Sequence, residues 1–406
     1  MRASRQDFAE YRMEQLLDEP LESVRRRQRE TLGQVMGGES APFVLFGAGN
    51  LGRRVLPLLR EAGLEPLAIM DNNASLWGKS LEGIEIVGPE QLARRMASQI
   101  PAVIAAIGAV RVTSRQMDSW LAPLRSLGFE RVALFGHLAW RFPQQLLPYQ
   151  CLDLPERVIQ DADGIRKAFH LLADEASRAL FVAHLDWRLT LNYEVVPEGG
   201  DERIYFSDQF SSRNDAEVLY DIGAFNGDSV VDYLQSGRRH REVHSFEPSA
   251  SNYVQLQATF ARLAETGHSS LHAHLLAVGD AECSIAIASA GGHTLKVGEG
   301  DEQVLMTTLD VLASALLPPT FVKMDIEGFE PHCLAGGSQL ITEHQPVLAV
   351  CAYHDQDHLW SLLLQIQQQY AGYRFRLCQH VYDRAWDIVL YAVPAHRLPQ
   401  EPCYAR

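Results

Sequence analysis

The sequence predicts an α/β protein of two Rossmann-like units joined by a helical connector, with the second sheet closed by an antiparallel hairpin. Three observations predict it. The apolar run Val218–Tyr220 ends in Asp221, turns through Gly223 and Gly227, and opens into helical spacing. Strand, glycine turn and helix in that order bring backbone N–H groups to a ligand with no Cβ in the way. The same order stands earlier, where Phe43–Phe46 runs into Gly47-Ala48-Gly49-Asn50-Leu51-Gly52. Near the C-terminus, Tyr373–Tyr382 and Trp386–Val393 read as strands separated by an Asp-Arg-Ala turn, too short for a parallel crossover.

Composition sets the bounds. The 406 residues suffice for two or three domains, and 47% hydrophobic with 21% charged residues is ordinary globular material. The formal charge is −15, and basic residues cluster only at Arg25–Arg29 and Arg238–Arg241. Nucleic acid and an anionic membrane are therefore excluded as main partners. No run approaches the roughly eighteen apolar residues of a membrane span, and the N-terminal MRASRQDFAEYR lacks a signal-peptide core. Six cysteines at 151, 283, 333, 351, 378 and 403 form no CxxC pair. They read as reduced core thiols of a cytoplasmic protein.

Residues 1–40 form a helical arm, with apolar punctuation from Phe8 to Val35 and a break at Pro20. The arm is expected either to pack on a partner or the next domain or to stand in solvent, and it leaves a homodimer open. Residues 41–136 form the first unit. The helix Arg53–Glu61 follows the glycine turn, and strand Leu67–Met70 ends in Asp71, 19 residues past Gly52. Gly47, Gly49, Asn50, Leu51, Gly52 and Asp71 thus make a complete dinucleotide fingerprint, although the same glycines also serve plain helix-on-sheet packing. Val103–Ile107 and Arg131–Phe135 supply further strands.

The segment Trp77–Leu92 resembles the sugar-nucleotide-binding N-terminal domains of some sugar acyltransferases. That resemblance favours a nucleotide or nucleotide-sugar here over a working NAD(P) site. Residues 137–215 form the connector, broken by Pro143, Pro148 and Pro155, helical over Ile159–Leu191, with a strand at Ile204–Phe206.

Residues 216–396 make the second unit. Strand Val243–Phe246 ends in Glu247, 26 residues after Asp221, where an acid can accept hydrogen bonds from ribose hydroxyls. Helix Asn252–Glu265, strand Leu271–Val278 ending at Asp280, a β excursion at Ser284–Ser289 and a loop with Gly291, Gly292, Gly298 and Gly300 follow. Strand Phe321–Met324 ends in Asp325, strand Pro346–Tyr353 ends in His354, and a helix covers His358–Tyr370. A parallel sheet finished by an antiparallel pair is the layout of class I methyltransferases, whereas dinucleotide dehydrogenases usually stay parallel.

Asp221, Glu247, Asp280, Asp325 and His354 all fall at predicted carboxyl ends of strands, the edge that carries the ligand crevice of an open parallel sheet. Asp325, Glu327 and Glu330 crowd around Gly328. Clustered carboxylates raise one another's proton affinity, and one could act as a base; Glu330 reads equally as a charge on the first turn of the next helix.

DIGAFNGDS, FEPSASNY, LAVGD, VKMDIEGFEPHCLAGG and VLAVCAYHDQDHLW…WDIVLYA together resemble the FkbM family of S-adenosylmethionine-dependent methyltransferases, over roughly residues 204–394. The resemblance implies O-methylation of a hydroxyl on a sugar, glycan or polyketide-like small molecule. It assigns Asp221, Gly223, Ala224 and Gly227 to the methionine end of the cofactor and Glu247 with Pro248 to the ribose. Ala277 to Asp280 would flank the adenine, with Asp325, His354 and Glu327 as catalytic candidates. One departure is His358, where relatives often carry an acid before Leu-Trp.

No metal is assigned: His354, Asp355, Asp357 and His358 could be ligands but read as a polar loop and helix start. His272 and His274 read as surface-facing. Two alternatives remain: a nicotinamide oxidoreductase built on residues 43–136, which lacks a Tyr-x-x-x-Lys constellation, and a non-catalytic nucleotide-sugar-binding scaffold.

Overall fold

The computed structural model describes residues 5–107, 121–197, 199, 203–289, 295–297, 302–380 and 387–398. The predicted Gly291–Gly300 loop and the Asp-Arg-Ala turn lie outside these residues, apart from 295–297. Two helices, Arg5–Leu17 and Leu21–Met36, open the chain on either side of Pro20. The first packs on the long connector helix Glu175–Thr190 and the second on helix Phe135–Arg141. Met13, Leu16, Leu17, Val24 and Leu32 are buried there. The arm therefore packs on this chain's own connector.

The first sheet contains β1 (Phe43–Phe46), β2 (Ile69–Met70), β3 (Ser80–Leu81), β4 (Ile84–Val87), β5 (Ala102–Ala105) and β6 (Val132–Ala133). Its order is β3-β4-β2-β1-β5-β6, parallel except for the β3–β4 hairpin. The strand expected at Arg131–Phe135 is shorter, because Phe135 already opens the helix Phe135–Arg141.

Beyond it, the helical run expected over Ile159–Leu191 is broken. Helices cover Glu156–Gln160, Ala162–Leu171 and Glu175–Thr190. Leu172 leaves helical geometry to bridge to Phe375, and Asp174 caps the next helix by accepting from Ser177 N–H at 2.8 Å. The expected strand Ile204–Phe206 does not form: Tyr205 takes φ +70°, which no strand accommodates.

The second sheet contains β7 (Glu217–Ile222), β8 (His240–Phe246) and β9 (Leu271–His274), followed by the small-sheet strands β10 (Ala277–Gly279), β11 (Cys283–Ser289), β12 (Leu295–Val297) and β13 (Glu302–Thr308). It resumes with β14 (Phe321–Met324), β15 (Val347–Cys351), β16 (Tyr373–Gln379) and β17 (Ile388–Pro394). The large sheet runs β16-β17-β15-β14-β7-β8-β9, with β17 antiparallel to both neighbours and the rest parallel. This is the predicted class I methyltransferase layout. Every residue of β7, β14 and β15 is buried, as expected of central strands covered on both faces.

The predicted strand Leu271–Val278 divides. β9 pairs with β8, whereas β10 leaves for the small sheet and runs parallel to β13. Which sheet a strand joins depends on a partner some thirty residues on, and the local alternation of residues 271–278 does not reveal the change.

At the opposite end of β7 lies a buried ion group. Glu217 is fully buried and receives Arg397 Nη1 at 2.9 Å and Nη2 at 2.8 Å; Arg238 Nη1 lies 3.9 Å away. Arg397 belongs to the short helix after β17, so the chain's end is tied to its central strand. Arg397→Ala leaves a buried carboxylate without its fork-shaped partner. It is expected to lower stability by about 3–5 kcal/mol, measured as a fall in the urea midpoint at unchanged m-value.

Candidate functional site

β7, β8, β14 and β15 finish side by side, and the groups at their carboxyl ends meet there. Asp221 is fully buried; its Oδ2 accepts from Ser229 Oγ at 2.8 Å and from Ser245 Oγ at 3.3 Å. Its Oδ1 lies 3.1 Å from Lys323 Nζ but is poorly aligned for a hydrogen bond. Lys323, buried on β14, donates to the Gly223 carbonyl at 2.6 Å and sits 5.4 Å over the Tyr205 ring. Burial alone would depress this ammonium, but Asp221 and Asp325 outweigh it and hold its pKa above the ordinary lysine value.

The turn after β7 is built on Gly223, at φ +77°. A Cβ at this position would fall 1.9 Å from the Asp325 carbonyl oxygen, so the glycine turn and the end of β14 touch through backbone. The N–H groups of Gly223 and Ala224 both donate to the Phe246 carbonyl, and Gly227 caps the helix Asp228–Gln235. Glu247 Oε2 accepts from Phe225 N–H at 2.8 Å, and Oε1 accepts from Ser249 N–H at 2.9 Å and the Asn252 amide at 3.3 Å. Burial pushes the Glu247 pKa up, and these bonds offset it only in part. The carboxylate thus braces the turn while Oε2, with one bond, keeps acceptor capacity.

Asp325 Oδ2 accepts from Tyr205 Oη at 2.9 Å and Oδ1 from Tyr353 Oη at 3.1 Å. His354, its side chain 2% exposed, stands between carboxylates: Nδ1 lies 2.8 Å from Glu330 Oε1, and Nε2 lies 3.2 Å from Asp325 Oδ1 and 3.9 Å from Glu327 Oε2. Burial would favour the neutral ring, yet Glu330 and Asp325 raise its pKa well above the ordinary value. For Asp325, burial works upward, and His354 with Lys323 holds the carboxyl well below the usual range. The resting pair is imidazolium and carboxylate. An imidazolium has no lone pair to take a proton, so the base role expected of His354 does not fit this state.

Glu330 does more than charge a helix end. It is fully buried and accepts from Ile326 N–H at 2.9 Å and Gly328 N–H at 3.1 Å. These bonds flank Glu327, a non-glycine residue at φ +56°. Such a conformation costs about 1 kcal/mol or more and persists where its surroundings over-determine it.

Residues 221–375 match the family model described as the methyltransferase FkbM domain. That segment is therefore similar to an FkbM methyltransferase domain. That match supports methyl transfer from S-adenosylmethionine. A solved methyltransferase FkbM from Methylobacillus flagellatus KT is 22% identical, with a TM-score of 0.74, covering 96% of this chain and 99% of that one. It shows a shared fold along nearly the whole length. UDP-D-quinovosamine 4-dehydrogenase from Vibrio fischeri is 23% identical over 23% of this chain and 75% of that chain, TM-score 0.19. An rRNA methylase from Streptococcus thermophilus is 13% identical over 45% of this chain and 88% of that chain, TM-score 0.29. No curated protein matches the sequence.

Within the matched residues, the structure brings Asp221, Gly223, Ala224, Gly227, Glu247, Asp325, Glu327 and His354 to one sheet edge. Pro248 follows on the same loop, half-buried. Ala277 stands on the small sheet instead, and Asp280 just past its strand β10. Asp280 is exposed, and its carboxylate pairs with His332 Nδ1 at 2.7 Å, which lowers its pKa. Lys323, Ser229, Ser245, Tyr205 and Tyr353 also reach the site and were not foreseen. A lysine inside the apolar run FVKM signals a buried cation; nothing local marks Tyr205, 120 residues from its partner Asp325.

In the first unit, Gly47 takes φ +114°, and a Cβ at Gly49 would meet open space. Asn50 and Leu51 begin the helix Asn50–Glu61, with Gly52 buried on its inner face. Asp71 Oδ2 accepts from Ala48 N–H at 2.8 Å and Oδ1 from Asn73 N–H at 2.7 Å. Among the described residues, His354, Asp355, Asp357 and His358 do not converge as metal ligands.

His354 is held above its ordinary 6.5 and Asp325 below its ordinary 3.8. Their linkage to folding is fully present between those values and fades as pH rises from 6.5 toward the raised His354 pKa. The Tm gap between wild type and His354→Gln is therefore expected to be widest near about pH 5 and to narrow toward about pH 9. Differential scanning calorimetry across that range checks this; a gap that widens with pH contradicts a charged His354.

Proposed function

We propose that this protein is an S-adenosylmethionine-dependent O-methyltransferase whose acceptor is a hydroxyl of a sugar, glycan or polyketide-like small molecule. The observation that carries the reading is the contact of the Gly223 turn with Asp325: a cofactor turn and a proton-accepting carboxylate share one backbone contact. The residues fit the cofactor. The turn at Gly223 presents no side chain, Glu247 holds unused acceptor capacity beside it, and the site is rich in carboxylates, which suits a sulfonium cation. When bound, the cofactor would supply an electrophilic methyl group. Asp221, Gly223, Ala224 and Gly227 would line its methionine end and Glu247 with Pro248 its ribose, while Ala277 and Asp280 would approach the adenine from the small sheet.

The chain's own groups then have separate tasks. Asp325, kept ionised by His354 and oriented by Tyr205 and Tyr353, accepts a hydrogen bond from the acceptor hydroxyl and takes its proton as the oxygen is alkylated. Glu327 borders the same space. His354 acts as a positioning residue, through Asp325. We read residues 41–136 as a nucleotide or nucleotide-sugar unit, on the open approach at Gly49, and 137–215 as the connector to residues 216–396. Among the described residues no helix is long and apolar enough to cross a membrane. The buried reduced thiols Cys333 and Cys351 support a cytoplasmic setting.

Isothermal titration is expected to show S-adenosylmethionine and S-adenosylhomocysteine binding to wild type and, within a few-fold, to Asp325→Asn. With labelled methyl donor and a panel of glycosides and hydroxylated metabolites, Asp325→Asn is expected to lower kcat by about 10²–10⁴-fold. Absence of cofactor binding to wild type rejects the proposal; full activity of Asp325→Asn rejects the role given to that carboxylate.

A further inference from the structure

The edge strand of the large sheet carries a histidine cluster outside the site above. Glu242 and His244 lie two apart on β8 and so share one face of the sheet. His244 pairs in register with His272 on β9, which places His272 and His274 on that face as well. His244 is 3% exposed, Glu242 half-buried and His272 exposed. One ligand atom from each of Glu242, His244 and His272 lies within 4.8 Å of the others. Among the described residues it is the only such group of His, Cys, Asp or Glu.

We propose that Glu242, His244 and His272 form a site for a divalent transition cation of the zinc kind, clamping edge strand β9 to β8. Two imidazoles and one carboxylate are a common zinc donor set, leaving a fourth position for water on the exposed side. The buried histidine is already oriented for this. Its Nε2 lies 2.9 Å from Glu242 Oε2, and its Nδ1 lies 3.1 Å from His274 Nε2. On binding, the neutral ring keeps its one proton on Nδ1, and the Nε2 lone pair and Glu242 Oε2 take the cation with no net proton released. His244 Nδ1–H then donates to His274 Nε2, fixing the tautomer, as ligating histidines generally require.

The His272 ring now stacks on His244, with centroids 4.8 Å apart. Being exposed, it can turn and move by about an ångström to bring a nitrogen to bonding distance. Among the described residues β9 has no neighbour on its outer side, so a metal bond to β8 replaces support that an interior strand takes from a second partner. The clamp also reaches the strand end that carries Glu247, whose N–H donates to the His274 carbonyl at 3.0 Å.

The test uses the full chain, stripped with chelator and titrated with Zn²⁺ alone. Wild type is expected to retain about one equivalent after desalting and to gain several degrees in Tm. His272→Ala, a surface change, is expected to fold normally by circular dichroism and lose both effects. Cys283→Ser removes an exposed thiol that could itself bind zinc, and it is expected to behave as wild type. Equal uptake by wild type and His272→Ala, loss in Cys283→Ser, or no uptake by wild type each overturns the proposal.

Discussion

A single buried ammonium organises the functional edge of the large sheet. Lys323 lies within 3.1 Å of Asp221, bonds the Gly223 carbonyl, and together with His354 holds Asp325 ionised. It thereby links the end of β7, the glycine turn and the end of β14. A lysine this deep loses its hydration, and only nearby carboxylates offset that loss. The constraint works in both directions: Lys323 helps hold the Asp325 carboxyl well below the usual range, and Asp221 and Asp325 hold the Lys323 ammonium above the ordinary lysine value. Adding Glu327, Glu330 and His354 leaves four carboxylates against two cations around the turn. That excess of negative charge favours a positively charged ligand beside the turn.

The two α/β units use their second-strand acids alike. Asp71 accepts from Ala48 N–H and Glu247 from Phe225 N–H, each reaching across one strand to the glycine turn of its own unit. An acid at that place is therefore explained first by the unpaired backbone donors of a turn. The two differ in what remains. Both Asp71 oxygens take backbone N–H groups, one from Ala48 on the glycine turn and one from Asn73 on its own loop, whereas Glu247 has a longer stem and feels the charge of Lys323 on β14. The dinucleotide fingerprint alone did not separate these cases, because glycine spacing records only how closely backbone approaches backbone.

What the sequence made legible follows from range. β7, β14 and β15 read correctly because each is a short apolar run, interrupted in β14 only by Lys323, that ends in a polar or charged residue, and the antiparallel closure followed from the shortness of one turn. The split of Leu271–Val278 and the bend at Tyr205 were not legible, since both depend on partners distant in the chain. The same holds within the site. Asp325, Glu327 and His354 stood out as charges at strand ends, but the protonation of His354 is set by Glu330, 24 residues away. Glu330 resembled an ordinary first-turn acid until its burial and its bonds to Ile326 and Gly328 were visible. A motif names the groups present; which of them holds the proton depends on their packing.

The helices before residue 216 reach the site from outside the residues that match the family model. Arg188, fully buried on the helix Glu175–Thr190, donates through Nε to the Gln356 carbonyl at 3.3 Å. The Gln356 side chain in turn accepts from Asp153 N–H at 3.1 Å and donates to the Leu154 carbonyl at 3.1 Å. Gln356 lies two residues beyond His354, so the loop leaving β15 is anchored to connector backbone on one side and, through His354, to Glu330 on the other. The same connector helix packs against the N-terminal arm through Arg12 and Asp186, 2.7 Å apart. The position of His354 beside Asp325 therefore depends on segments that the family motif does not include. A chain cut at the start of that motif would leave Gln356 and the ring beside it without the contacts that hold them in place.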